Sequence, residues 1–224
     1  MKGIAVYSAF FGCLNKQACY VKQIDIKYPH FFFSNNSEVL AYASSLGWTS
    51  ILLDYGVSEC SIISSQQAKL VKICPELFEA LNGFQYLLYV DDKINLDLKS
   101  FDELTEVLDE KGSSMALCPH YFLSGNVLFE FGESMIQSRY KEQWNKPVQY
   151  ITEEIKNGYN LECFMYQTGI ILRNMNHKDT KLINQRWYEH MLRAGINCQI
   201  SFDIVSQGFG SISCLPSYPT LLKS

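Results

Sequence analysis

Two adjacent carboxylates and a lysine follow an apolar run in the segment "YLLYVDDKINLD", residues 86–97. A strand that is buried on both faces rarely ends in charged side chains unless those side chains bind something. Asp91 and Asp92 offer oxygen ligands to a hard divalent cation that would also bind a diphosphate, and Lys93 adds a positive charge beside them. We therefore predict a Mg²⁺ or Mn²⁺ site with Asp91 and Asp92 as metal ligands. The alternative is that these residues are solvated turn residues.

Lysines and polar strand ends elsewhere in the chain are further candidates for binding the same diphosphate. Lys69 and Lys72 are three residues apart, so on a helix they share one face and reach the same phosphates, unless that face is simply solvated. Asn35 and Asp54 lie at the ends of predicted strands, and ligands of open α/β sheets bind beyond the carboxyl ends of the strands. The sequence has no GxxxxGK[ST] motif and no GxGxxG motif after Phe11. This disfavours P-loop hydrolysis and dinucleotide binding.

The elements that must position these side chains alternate between strand and helix patterns. Apolar runs without clean alternation indicate strands that are buried on both faces, hence a mostly parallel sheet covered by helices. The predicted strands are residues 3–11, 30–36, 48–54, 85–92, 113–120 and 163–175. The predicted helices are residues 64–81 with an interruption near Pro75, 100–112 with a Ser100–Glu103 capping box, parts of 125–158, and 179–195 with Asp179 as N-cap. The tail from residue 211 is predicted as loop or edge.

The length, net charge and cysteine content of the chain limit the class of protein. A length of 224 residues without a linker or repeat predicts one domain over residues 1–224. The net charge of -4 gives no general attraction to nucleic acid, so phosphate binding must come from a few placed groups. The eight cysteines form no CxxC pair, and we see neither a secretory signal nor a transmembrane segment. We therefore expect free thiols and a cytoplasmic location.

Three blocks of the sequence resemble GT-A glycosyltransferases, and more narrowly a plant and bacterial glycosyltransferase-like family of hexosyltransferases. The first block, "QAKLVKICPELFEALNGFQYLLYVDDKINL", is a lysine helix followed by a strand that ends in D-x-K. The second, "ALCPHYFLSGNVLFE", is a strand reaching a histidine with an acid downstream. The third, "TGIILRNMNHKDTKLINQRWYEHMLRAGINCQISFDIV", combines a strand, an arginine, a tryptophan-bearing helix and Gln-x-Ser-Phe. The resemblance implies an α/β, GT-A-like three-layer sandwich with a mostly parallel central sheet.

The resemblance also implies a site for a sugar nucleotide. Asp91 would help to hold the metal-bound donor, and Lys93 would lie near its phosphates or sugar. The end of the first strand would receive the base and the ribose. The residues expected to contact the donor are Tyr7, Ser8, Ala9, Asn35, Lys69, Lys72, Asp91, Lys93 and Gln199.

The sequence departs from the family pattern at two positions. The strand-end motif is Asp-Asp-Lys, so a strict D-x-D pair is absent. The family usually has an aspartate before the glutamine of the third block, whereas this chain has Cys198 before Gln199. Cys198 cannot supply the same carboxylate.

Glycosyl transfer needs a group that stabilises the leaving diphosphate and, for some enzymes, a base for the acceptor hydroxyl. Our candidates for catalysis are Asp203, Glu189 and His120, in that order. Asp203 lies among apolar residues that would raise its pKa, and the alternative is that it caps a helix. Trp187 is predicted to be a core residue, and the alternative is that a sugar stacks on its ring.

The sequence thus predicts an enzyme that moves a hexose-type sugar from a nucleotide-diphosphate donor, a UDP- or GDP-sugar, to a glycan or other hydroxyl acceptor. A catalytically weak sugar-nucleotide-binding module, or a partner subunit, is the alternative that Cys198 favours. A nucleotidyltransferase is disfavoured because no glycine-rich loop follows Phe11.

Overall fold

The computed structural model describes residues 3–23, 27–95, 101–120, 123 and 125–216, except for the side chains of residues 101 and 102. The predicted N-cap Ser100 lies outside these residues. Within them, seven strands form one sheet in the order β3-β2-β1-β4-β6-β5-β7. The strands are β1 Ile4–Ala9, β2 His30–Ser34, β3 Thr49–Leu52, β4 Tyr86–Val90, β5 Met115–Pro119, β6 Tyr166–Asn174 and β7 Ile212–Cys214.

Only β6 runs antiparallel to its neighbours, so the sheet is mostly parallel, as the sequence predicts. It pairs with β4 on one side and with β5 on the other, while the remaining pairs are parallel. The carboxyl ends of the six other strands therefore meet at one edge of the sheet, together with the amino end of β6. Ligands of open α/β sheets bind at this edge, which we call the binding edge.

Helices cover both faces of the sheet and complete three layers. The α-helices are α1 Ser37–Ser45, α2 Ser61–Ile73, α3 Phe101–Glu110, α4 Val127–Ser134, α5 Ser138–Lys141, α6 Asn145–Lys156, α7 Thr180–Ala194 and α8 Cys198–Ser206. Two short 3₁₀ helices, Pro75–Leu77 and Glu79–Leu81, follow α2, because proline ends the α-helix.

Alternation along β1 divides the core into two clusters. Val6 points to the cluster that contains Leu104 and Leu108 of α3, whereas Tyr7 points to the cluster that contains Trp187 of α7 and Phe202 of α8. Because each face buries its own apolar residues against helices, the strands carry apolar side chains on both sides. This explains the continuous apolar runs in the sequence.

The turn between α7 and α8 fixes the first residues of α8. Gly195 ends α7 with a φ of 87°, a backbone conformation that favours glycine. Asn197 then caps α8, since its side-chain oxygen accepts hydrogen bonds from the backbone N–H groups of Gln199 and Ile200. Cys198 and Gln199 are thereby held at the amino end of the helix, next to the start of β6.

The predicted strands and helices are confirmed, with boundaries shifted by one to three residues at most ends. Helix α1 was not predicted, although Asn36 supplies a cap for it by accepting a hydrogen bond from the Glu38 N–H. The tail predicted as loop or edge contains the edge strand β7. Among the described residues, no helix combines the length and the apolar character that crossing a bilayer requires.

Candidate functional site

Asp91 forms the centre of the charged strand end that the sequence singled out. It directly follows β4, and its backbone N–H donates to the Gly169 carbonyl of β6 at 2.9 Å. Its Oδ1 atom accepts hydrogen bonds from Lys72 Nζ at 3.2 Å and from the Tyr89 hydroxyl at 2.8 Å. The Asp91 side chain is 24% exposed, whereas that of Lys72 is 2% exposed. The sheet thus presents a partly accessible carboxylate on a buried ammonium.

The charges of Asp91 and Lys72 oppose the effect of burial on each other's pKa. Burial favours a raised pKa for Asp91, but the positive charges of Lys72, Lys69 and Lys93 together hold that pKa below its ordinary value. Burial lowers the pKa of Lys72, and the charge of Asp91 opposes that effect. The Lys72 ammonium also lies 5.0 Å from the centre of the Tyr89 ring.

A fully buried arginine fixes the backbone from which Lys72 projects. Arg173 of β6 donates to the Lys72 carbonyl at 3.0 Å, to the Tyr7 hydroxyl at 2.9 Å and to Asn184 Oδ1 at 3.0 Å. The Tyr7 hydroxyl in turn donates to the Lys72 carbonyl at 3.2 Å. The side chain of Tyr7 is therefore engaged inside the protein. Its backbone lies in the ladder between β2 and β4, and the residue has no exposed surface.

The other predicted nucleotide contacts lie at the ends of β1 and β2. Ser8 and Ala9 are buried, and among the described residues Ser8 Oγ has no hydrogen-bond partner. Asn35 accepts a hydrogen bond from the Gly12 N–H at 3.1 Å and donates to the Gly56 carbonyl at 3.0 Å. Asn35 thus ties together the loops that follow β1 and β3 at the binding edge.

The thiol of Cys198 lies near the lysines of α2. It is the first residue of α8, and its Sγ atom lies 3.6 Å from Thr168 Oγ1. Burial favours a raised pKa for this thiol, but Lys69 and Lys72 outweigh it and lower the pKa of Cys198. Burial likewise opposes the charge of Lys69, yet Cys198, Tyr140 and Asp91 together raise the pKa of Lys69. The lysines of α2 therefore favour the thiolate form of Cys198.

Gln199 and His120 meet at an acid that our sequence analysis did not select. Glu130 of α4 accepts a hydrogen bond from Gln199 Nε2 at 2.8 Å and another from Asn197 Nδ2 at 3.2 Å. The Nε2 atom of His120 lies 3.9 Å from Glu130 Oε2. Glu130 is the last residue of the second block that resembles glycosyltransferases, so the sequence did mark it. Its contact with Gln199 could not be predicted, because the two residues are far apart in the chain.

The two acids that the sequence put first for catalysis lie elsewhere. Asp203 is fully buried in α8, and its Oδ1 atom accepts a hydrogen bond from the Tyr166 N–H at 2.9 Å. Burial raises the pKa of Asp203 well above its ordinary value. Glu189 lies on the exposed face of α7, where Gln185 Nε2 donates to it at 2.9 Å. Trp187, on the opposite face of that helix, is buried in the core.

The side chains present do not fit a divalent cation between Asp91 and Asp92. Asp91 is already paired with Lys72, and Asp92 Oδ2 accepts a hydrogen bond from the Tyr20 N–H at 3.0 Å. Lys93 stands where a second ligand of a D-x-D motif would be. In the part of the chain that the structure describes, no three His, Cys, Asp or Glu residues are grouped so that they could hold a metal ion.

Solved structures that resemble this chain are glycosyltransferases. Mouse xyloside xylosyltransferase 1, in its apo form, aligns with a TM-score of 0.52 and 10% sequence identity over 94% of this chain and 84% of that chain. Core-mannan synthase A from Aspergillus fumigatus, in a Mn/GDP form, aligns with a TM-score of 0.51 and 12% identity over 96% of this chain and 73% of that chain. The apo WbbM bifunctional glycosyltransferase aligns with a TM-score of 0.51 and 14% identity, over 96% of this chain and 39% of that chain.

In sequence, no family model and no curated protein matches this chain. The likeness in structure shows the fold, which is the GT-A-like α/β sandwich that the sequence predicts. At these identities it does not carry over the activity of any one of these proteins.

Proposed function

We propose that this chain transfers a hexose-type sugar from a nucleotide-diphosphate donor, a UDP- or GDP-sugar, to a glycan or other hydroxyl acceptor. One observation carries the proposal. On the binding edge of a GT-A-like sheet, Lys69 and Lys72 of α2 converge with Asp91 and with Cys198. A group of buried charges at the ligand edge of this fold is costly for stability unless it serves binding or catalysis.

The donor would lie across the carboxyl ends of β1, β2 and β4. Ser8, whose buried hydroxyl has no hydrogen-bond partner among the residues that the structure describes, and Ala9 suit the base and the ribose. Asn35 holds the loops that border them. The partly exposed Asp91 suits a hydroxyl of the sugar, because a carboxylate accepts hydrogen bonds from hydroxyl groups.

Lysines would stabilise the negative charge that develops on the leaving diphosphate. Lys93 is exposed beside Asp91, and Lys69 is partly exposed one helical turn before Lys72. Ammonium groups that are held in place before the reaction stabilise a departing phosphate without any reorganisation. This arrangement needs no divalent cation, in agreement with the poor fit of Asp91 and Asp92 to a metal.

A catalytically weak sugar-nucleotide-binding module is the second candidate. The observation that favours it is Cys198, since a thiolate accepts fewer and weaker hydrogen bonds than the carboxylate that the resembled family has at this position. Such a module would bind a donor at the same edge but turn it over slowly.

Titration calorimetry with UDP-glucose, UDP-galactose and GDP-mannose, in EDTA and again with Mn²⁺, tests the proposal. We expect micromolar to millimolar binding of one donor in EDTA, loss of that binding in Lys69→Met, and unchanged binding in the control Lys178→Met, which removes an exposed lysine near the start of α7. Release of nucleoside diphosphate by the wild type then separates the two candidates. An enzyme turns over the donor, and a module only binds it. Absence of binding for every donor contradicts both.

A further inference from the structure

We propose that Glu130 is the base that takes the proton from the acceptor hydroxyl, an inference that rests on the proposed function. Glu130 lies on α4, next to the amino end of α8 and the end of β5, and its side chain is 15% exposed. It is therefore partly accessible, whereas Asp203 is fully enclosed. The acceptor would enter over α4, on the side of α8 away from the lysines of α2.

Two side-chain amides hold the Glu130 carboxylate in one orientation. Asn197 Nδ2 donates to Oε1 at 3.2 Å, and Gln199 Nε2 donates to Oε2 at 2.8 Å. Asn197 is itself fixed as the cap of α8. Because each oxygen receives one N–H donor, a second lone pair on each oxygen is left for a hydroxyl of the acceptor.

His120 completes the surroundings of this carboxylate from the end of β5. Its Nδ1 atom accepts a hydrogen bond from the Leu123 N–H at 2.9 Å, so a neutral His120 carries its proton on Nε2. That Nε2 atom faces Glu130 Oε2 at 3.9 Å. Burial lowers the pKa of His120, which keeps the ring neutral. His120 therefore borders Glu130 as a neutral ring that carries its proton on the nearer nitrogen, and not as a competing base.

Glu130 titrates in the range where a base works best. The pKa of Glu130 is raised to about 7, chiefly by burial; the hydrogen bond from Asn197 opposes this rise and the charge of Glu133 contributes to it. The other titratable groups that face it are His120 from β5, Tyr140 from α5 and Asp203 from α8. Burial raises the pKa of Asp203 well above its ordinary value, and the charge of Glu130 contributes to that rise.

The proposed step moves one proton and exchanges one bond. The acceptor oxygen forms a bond to the anomeric carbon of the donor, while its proton passes to the Glu130 carboxylate. The bond between the anomeric carbon and the diphosphate oxygen breaks, and its electron pair leaves with the diphosphate. Lysines on the other side of α8 receive the departing charge. The amino end of α8 thus separates the base from the leaving group.

The test compares Glu130→Gln with the control Glu142→Gln, which changes an exposed acid directly after α5. Donor affinity is measured by calorimetry with UDP-glucose, UDP-galactose and GDP-mannose, and transfer is measured to methyl glucoside, methyl galactoside and water. We expect Glu130→Gln to keep donor affinity within about threefold and to lose about 10²- to 10⁴-fold in kcat. The control keeps its transfer rate.

A pH profile adds a readout that a purely structural role would not change. A base must be deprotonated, so wild-type kcat/KM rises about tenfold per pH unit below a pKa of about 7 and levels off above it. Glu130→Gln loses this rise. Formate added to Glu130→Ala restores part of the transfer, because a small carboxylate can occupy the space of the deleted side chain.

Two results overturn the inference in distinguishable ways. If the wild type neither binds nor turns over any of the sugar nucleotides, the proposed function fails, and the role of Glu130 as a base fails with it. If the wild type is active and Glu130→Gln transfers sugar at the same rate with the same pH profile, the proposed function stands and Glu130 is not the base.

Discussion

The side-chain amide of Gln199 donates a hydrogen bond to Glu130 Oε2 at 2.8 Å, and so joins the amino end of α8 to α4. The preceding residue, Cys198, faces Lys69 and Lys72 instead. Two consecutive residues of one helix therefore contact two different groups of charges. In the proposed function, one group receives the leaving diphosphate and the other activates the acceptor.

Lys72 and Asp91 should be strongly coupled in stability. Asp91→Asn leaves a buried ammonium without its partner and is expected to cost about 3 kcal/mol of unfolding free energy. Lys72→Met leaves the more exposed carboxylate, which still accepts from Tyr89, and should cost about 1 kcal/mol. The double variant should cost less than the sum of the two. Urea unfolding of all three variants measures the coupling, and simple additivity would contradict the ion pair.

The thiol of Cys198 should stabilise the fold increasingly as pH rises. Its pKa is lowered in the folded protein, so the stabilisation is complete above the ordinary thiol pKa of about 8.5 and is lost as pH falls through the lower folded value. The difference in stability between wild type and Cys198→Ser should therefore grow with pH up to about 8.5. Cys198→Asp should remain more stable than Cys198→Ser at lower pH, because a carboxylate is still ionised at a pH where a thiol is protonated.

Ultraviolet absorbance of the thiolate provides a direct check on Cys198. The spectrum of wild type minus that of Cys198→Ser isolates one thiol among the eight of the chain. We expect this difference to contain thiolate absorbance at neutral pH. If the difference shows thiolate only near the ordinary thiol pKa, Lys69 and Lys72 do not ionise Cys198.

Asp203→Asn should stabilise the protein at neutral pH and retain sugar transfer. The pKa of Asp203 is raised by burial, so the folded state holds a proton that the unfolded state releases above about pH 4. Wild-type stability therefore falls relative to Asp203→Asn as pH rises above about 4, and the two converge below it. Chemical unfolding at a series of pH values measures this difference. Loss of transfer in a stable Asp203→Asn variant would identify Asp203, rather than Glu130, as the base.

Arg173→Met should be among the most destabilising changes in the core. It removes the donors to the Lys72 carbonyl, the Tyr7 hydroxyl and Asn184, in a position with no exposed surface. The free energy of unfolding is expected to fall by about 3 kcal/mol or more, because three buried acceptors lose their donor at once. Thermal unfolding gives the loss, and donor affinity at a temperature where the variant is folded shows whether the position of Lys72 depends on Arg173. A change below about 1 kcal/mol would contradict this role.

Local patterns explain why most elements could be predicted from the sequence. The apolar runs of β1 and β4 have no clean alternation because both faces of the sheet are covered, and that pattern alone favours a mostly parallel sheet. Helix α1 was missed because it is short and only one of its turns is marked by a cap, at Asn36. The strand β7 has three residues, too few to show a period.

The candidate site was only partly accessible to sequence reasoning. Asp91 and Lys72 could be selected because each is an unusual charge in an apolar segment, and the structure brings them together at 3.2 Å. Glu130 could not be assigned a role, because it meets Gln199 only after α8 packs against α4. Asp203 was put first for its apolar neighbours, yet the same neighbours enclose it fully.

The sequence by itself determined the layers of this protein, the edge of the sheet that carries charge, and the residue types available there. Periodicity and strand-end chemistry are properties of neighbouring residues, so a single chain displays them. Only the tertiary structure decided which charges meet, since Lys72 with Asp91 and Gln199 with Glu130 are contacts between distant segments. Burial of a given carboxyl, and therefore its pKa, depends on the packing of every element around it.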